Sequence, residues 1–109
     1  MFRIDRIKAE IAKRLESLNP QKVILFGSYA NGTPNADSDI DICIIKNGYS
    51  SKASERAKIR ELLKDIKIPK DIIVENEEYF LSHSDENWIN TALYDIRHYG
   101  EEIYTKINF

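Results

Sequence analysis

Three small groups of residues have the types and spacing to do chemistry together. Gly27-Ser28 ends the apolar run Val23-Ile24-Leu25-Phe26. After a spacer of ten residues, Asp39-Ile40-Asp41 opens a second run that continues through Ile42-Cys43-Ile44-Ile45. Asp71 opens a third, Ile72-Ile73-Val74. Short runs rich in branched residues predict buried strands. Side chains alternate along a strand, so Asp39 and Asp41 project to one side, about 7 Å apart, and Ile40 and Ile42 to the other. Burying such carboxylates without a counter-charge costs several kcal/mol. A divalent cation is their natural companion.

The elements around these residues must bring them to one place. The stretch between Asp41 and Asp71 reads as strand, loop, helix and strand, so strands two and three should be parallel neighbours joined by a right-handed crossover. Both begin with aspartate, and neighbouring strands lie about 4.8 Å apart. Strand one, Lys22 to Phe26, must run toward the same sheet end if its connection to strand two is short. It would then lie antiparallel to strand two in a small mixed sheet of order 1-2-3, an α/β fold with flanking helices. Gly27 lets backbone approach a ligand closely, and Ser28, opening a helical turn through Tyr29-Ala30-Asn31, offers N–H groups and a hydroxyl to phosphate. Three clustered carboxylates repel unless cations neutralise them. Magnesium suits an all-oxygen site and keeps positions for substrate phosphates. Metal-holding acids beside phosphate donors point to phosphoryl or nucleotidyl transfer.

The rest of the chain supports this frame. At 109 residues it is long enough for one modest core. Apolar content of 42% and charged content of 31% are those of an ordinary globular protein. A net charge of −2 gives no support to direct nucleic-acid binding. No apolar stretch reaches membrane-spanning length and no signal-peptide pattern opens the chain, so a cytoplasmic location is expected. The single cysteine, Cys43, reads as a buried small hydrophobe.

Ile4, Ile7, Ile11, Leu15 and Leu18 form the apolar stripe of a first helix. Arg3, Asp5, Arg6, Lys8, Glu10, Lys13, Arg14 and Glu16 occupy its solvated faces, and Asn19-Pro20 stops it. The cluster from Gly32 to Ser38 is a loop. A helix is predicted over 53–66, with Ile59, Leu62, Leu63 and Ile66 inward, and Pro69 ends it. Asn76 should cap a short helix through Phe80. A last helix over 86–99 should place Ile89, Leu93 and Ile96 inward and stop at Gly100. Residues 102–107 could add an edge strand. His83 and His98 lack partners at metal-ligand spacing and read as surface residues. Trp88 and the tyrosines read as packing, except Tyr29, which flanks the phosphate loop.

Gly27-Ser28, ten residues, then Asp39-x-Asp41 resembles the signature of the DNA polymerase beta nucleotidyltransferase superfamily. The longer run Gly-Ser-Tyr-Ala-Asn-Gly-Thr-Pro-Asn-Ala-Asp-Ser-Asp-Ile-Asp-Ile, Gly27 to Ile42, is similar to the minimal nucleotidyltransferases (MNT), in particular MntA-type antitoxins paired with HEPN toxins. The resemblance extends over nearly the whole chain, through the later aspartate to an ending like Tyr99-Gly100-Glu101-Glu102-Ile103-Tyr104. It implies a nucleotidyltransferase fold, with residues 1–109 as a single minimal domain. By position, it implies that Asp39, Asp41 and Asp71 are catalytic and hold magnesium, two ions in all, with Asp71 also helping to deprotonate an acceptor hydroxyl. It assigns Gly27 and Ser28 to the triphosphate of ATP.

The implied reaction moves AMP from ATP to a hydroxyl. The chain shows nothing left over to recognise a large acceptor, so a partner should bring it, and the resemblance implies that this partner is a helical HEPN toxin modified on tyrosine. Two alternatives stand beside it: an antitoxin that neutralises its partner simply by binding, and a small-molecule nucleotidyltransferase that needs a separate helical subunit. Many relatives carry arginine inside Gly-Ser-x-Ala-x-Gly, where this chain has Tyr29 and Asn31. Lys46, Lys52 and Lys70 are the candidates to replace that charge.

Overall fold

The alternation that separates Asp41 from Ile40 sorts the whole sheet into two faces. In the computed structural model, which describes residues 4–35 and 37–107, four strands form one sheet: β1 (Lys22–Phe26), β2 (Ile40–Ile45), β3 (Lys70–Glu75) and β4 (Glu101–Thr105). Their order is β3-β2-β1-β4. β2 and β3 are parallel, and β1 is antiparallel to both β2 and β4. The expected 1-2-3 core of the sheet is therefore present, and the possible edge strand is real and lies beside β1. Arg3 of the predicted first helix and Ala36 of the predicted loop lie outside the described residues.

Each face is closed by helices. Val23, Leu25, Ile40, Ile42, Ile44, Ile72 and Val74 pack with Ile11, Leu15, Ile59 and Leu63 of α1 (Ile4–Leu15) and the α3 region, α3 being Lys52–Leu62. Ile24, Cys43 and Ile45 pack on the other face with Phe80 of α4 (Glu77–Ser82) and Ile96 of α5 (Ala92–Tyr99). Burying one such aliphatic side chain is worth about 1.5–3 kcal/mol. Cys43 is buried as expected, and burial, with Glu75 nearby, pushes its thiol up to about 12.

The helix ends follow local chemistry. α1 passes into a 3-10 turn at Glu16–Leu18 and stops at Asn19, as predicted, but by a different device. Asn19 takes a left-handed conformation (φ 55°), which asparagine tolerates, rather than the extended one that usually precedes proline. Ser51 caps α3 by accepting from the Ser54 N–H, and Asn76 caps α4 by accepting from the Tyr79 N–H. α3 ends four residues earlier than predicted. The turn that follows keeps Leu63 buried and Ile66 packed on the same side, so the apolar spacing outlasts the helix.

The predicted helix over 86–99 is two pieces, a 3-10 turn at Glu86–Trp88 and α5. Asn90 between them is left-handed (φ 70°), and Thr91 supplies a new N-cap. Ile89, expected inward, is 53% exposed. Gly100 ends α5 as predicted, yet its backbone is extended (φ −75°). A side chain there would strike the Ile96 carbonyl and the Ile24 methyl. Close approach to β1, not a left-handed turn, is what asks for glycine.

Candidate functional site

β1 delivers its last residue opposite the second residue of β2: Phe26 pairs with Asp41. On the other side Asp41 pairs with Asp71 of β3. Asp41 and Asp71 share the sheet face of Cys43, Ile45 and Ile73, the face that α4 and α5 cover farther along. Asp39, expected on the same strand side, lies just ahead of β2 in the loop and is exposed. Asp71 is exposed and Asp41 is half-buried.

Gly27 then turns the chain into α2 (Ser28–Asn31). Its backbone (φ 73°, ψ −154°) belongs to a region essentially reserved for glycine. A Cβ built there would run into the Asp41 carboxylate. The position is thus doubly constrained, by its torsion and by the acid beside it. With glycine at the N-cap no side chain covers the start of α2, so the turn presents backbone N–H groups of the kind that helix starts leave without intrahelical partners.

Electrostatics agree with this crowding. Burial, reinforced by the charges of Asp71 and Asp39, raises the Asp41 carboxyl above the ordinary carboxylate range. Among the described residues no cation forms an ion pair with Asp39, Asp41 or Asp71. Nor do any three His, Cys, Asp or Glu side chains among them already stand in metal-holding geometry. The available donors are nevertheless all carboxylate oxygens at one sheet end, with Asp41 partly desolvated and Asp39 and Asp71 exposed beside it. That donor set fits a hard divalent cation.

The three lysines considered as phosphate cations are committed elsewhere. Lys46 pairs with Glu55 (2.9 Å) and Lys52 with Glu75 (2.9 Å), both at the opposite end of the sheet. Lys70 is at the right end but donates to the carbonyls of Ile66 and Ile68 (2.5 and 2.8 Å). Burial, with Arg60 and Lys67 close by, lowers its pKa. Arg60, which has no place in the signature, reaches the Lys70 carbonyl at 3.5 Å, one residue from Asp71. Tyr29, singled out because it flanks the loop, is only 1% exposed and belongs to the core. Its hydroxyl titrates above the ordinary range because it is buried.

Asn31 instead opens onto a cleft of about 350 Å³ beside Gly27. Asp95, Ile96 and Tyr99 of α5 and Phe26 of β1 complete its lining. Asp95 and Tyr99 were not foreseen. Their spacing of four places both on one helix face, and Gly100 pins that helix against β1; neither signal resembles a motif.

Comparison with known proteins places the chain. A family model described as nucleotidyltransferase domain matches residues 6–95. Two solved structures share the fold. One is a toxin-antitoxin with AMP-PNP, at 22% identity and a TM-score of 0.65, and the other is a mutant of the toxin-antitoxin MntA-HpeT, at 17% identity and a TM-score of 0.64. In each case the match covers 91% of this chain and 73% of the other. No curated protein matches by sequence. With a family match over most of its length, the chain belongs to the nucleotidyltransferase domain family.

Proposed function

We propose that the chain transfers AMP from ATP to a hydroxyl of a partner protein, and that the acceptor is a tyrosine of a HEPN-type toxin for which this chain is the antitoxin. The observation that carries the reading is the register of Asp41 with Asp71 directly beside Gly27. Acids for a cation and open backbone for a phosphate meet at one sheet end. A toxin-antitoxin of similar fold with AMP-PNP, and a second one that includes MntA, supply the context.

In this reading Asp39, Asp41 and Asp71 hold magnesium, and Gly27 and Ser28 hold the triphosphate. The cation supplies charge neutralisation at the attacking and leaving oxygens. Asp71 accepts the acceptor's proton as its oxygen attacks the α-phosphorus. The new P–O bond forms as the bond to the β-phosphate bridge breaks, and pyrophosphate leaves. The work of the protein is alignment and electrostatics.

One observation favours a second reading, an antitoxin that neutralises by binding alone. Tyr29 is in the core, and Lys46, Lys52 and Lys70 have other partners, so none replaces the arginines usual in Gly-Ser-x-Ala-x-Gly. Labelled ATP and magnesium, incubated with the purified pair, decide between them. Label on the partner is expected with the wild type, and Asp39→Asn with Asp41→Asn should lower it at least about a hundredfold and release the toxin. A wild type that binds ATP yet leaves the partner unlabelled would overturn the transfer reading. A double variant that still neutralises would establish the second.

A further inference from the structure

We infer that the cleft between β1 and α5 is the seat of the nucleoside, with Tyr99 as the platform for its base. This rests on the nucleotidyl-transfer reading above and extends it to residues that the signature does not contain. The cleft shares Gly27 with the turn assigned to the triphosphate, so one molecule can occupy both. Its volume, about 350 Å³, is within the usual range for small-ligand sites.

The lining of the cleft suits a nucleoside better than a further phosphate. Among the described residues that line the cleft, Asp95 alone is charged. A carboxylate there repels phosphate and accepts hydrogen bonds from ribose hydroxyls or an exocyclic amine. The Asn31 side-chain amide can donate or accept as the base or sugar requires. Phe26 and Ile96 supply apolar walls.

Tyr99 completes the argument. It is 71% exposed, unusual for so large an aromatic side chain, while Ile96 three residues earlier is buried. It meets Tyr94 at 69°, with ring centroids 6.5 Å apart, so Tyr94 does not cover it in a parallel stack. Tyr94 itself is stacked on His98 (4.1 Å). Tyr99 is therefore left with an open ring beside a polar-lipped cleft. A base stacked on such a ring gains affinity without demanding one particular base.

Calorimetric titration of the whole chain with ATP and, separately, with inorganic tripolyphosphate, both with magnesium and without acceptor, tests this. Tyr99→Ala should weaken ATP about tenfold and leave tripolyphosphate unchanged, and Tyr99→Phe should bind ATP like the wild type. Because Tyr99 is exposed, the alanine variant keeps the core intact. Equal ATP affinity in Tyr99→Ala overturns the inference, as does an equal loss for both ligands. A wild type that binds tripolyphosphate as tightly as ATP also overturns it, while leaving the triphosphate site standing. A wild type that binds neither sinks the transfer reading itself.

Discussion

At the C-terminal ends of β2 and β3, buried acids are neutralised by the chain's own lysines; at the N-terminal ends of the same strands, Asp41 and Asp71 face one another and no described residue answers them. Glu55 is 2% exposed and takes Lys46 at 2.9 Å and Lys58 at 3.2 Å. Glu75 takes Lys52 at 2.9 Å. Burial alone would push the Glu55 carboxyl up, yet the hydrogen bonds from Lys46 and Lys58 carry it below its ordinary value. Asp41 moves the other way, raised by burial and by its acidic neighbours. One backbone frame thus holds an end whose charges are closed by the fold and an end whose charges await something from outside. The first kind is architecture, and the second is where a ligand adds most.

Removing a lysine from the closed end should show the largest effect on stability. Lys46→Ala leaves Glu55 buried with only the exposed Lys58, a loss of about 3 kcal/mol, near the lower figure for breaking a buried pair. Denaturant unfolding at neutral pH measures it. The sign with pH follows from the depressed Glu55 value. Its contribution is present above the ordinary glutamate range and is lost as pH falls through the folded value. The variant should therefore lose less stability on acidification than the wild type. An unchanged midpoint for Lys46→Ala would break the contrast between the ends.

Gly27→Ala comes next, at the open end. The alanine must adopt a torsion reserved for glycine, at about 1–3 kcal/mol, and its methyl must displace the Asp41 carboxylate. Stability and nucleotide binding should fall together. If the variant keeps full affinity for ATP, the packing of Gly27 against Asp41 is structural only.

Much of this is legible in the sequence, and the reason is periodicity. Val23 to Phe26, Ile40 to Ile45 and Ile72 to Val74 are short, branched and bounded by turn formers, so strands, order and parallel pairing followed from them. Asp41 and Asp71 came with the strands, since register is a backbone property. What stayed hidden was set by torsions or by side-chain choice. Nothing local announces that Asn90 turns left-handed and divides the last helix, or that Lys70 folds back onto two carbonyls. Tyr29 sits in a phosphate-loop motif but is buried in the core cluster that contains Leu25, Ile40 and Ile42, a tertiary placement that the motif does not announce. The cleft beside Asp95 and Tyr99 exists only once Gly100 has brought α5 against β1, a tertiary event with no pattern of its own.

The smallest expected effect bears most directly on why the two ends differ. Without metal, the charge of Asp41 is a burden on the folded state, because burial and its acidic neighbours oppose its ionisation. Asp41→Asn should then be slightly more stable than the wild type in chelator at neutral pH, a small gain because Asp41 is only half-buried and water screens its acidic neighbours. Magnesium should reverse that order. At ten times its dissociation constant a bound ion stabilises by about 1.4 kcal/mol, a rise of several degrees in Tm for a domain of this size. The wild type should show this rise, Asp41→Asn should lose most of it, and Lys46→Ala should keep it in full despite its lower starting Tm. The crossing of wild type and Asp41→Asn is the discriminating result, since a merely structural aspartate would lower stability in both conditions when replaced. A magnesium response that is equal in wild type and Asp41→Asn would place the cation elsewhere and remove the distinction drawn between the two ends.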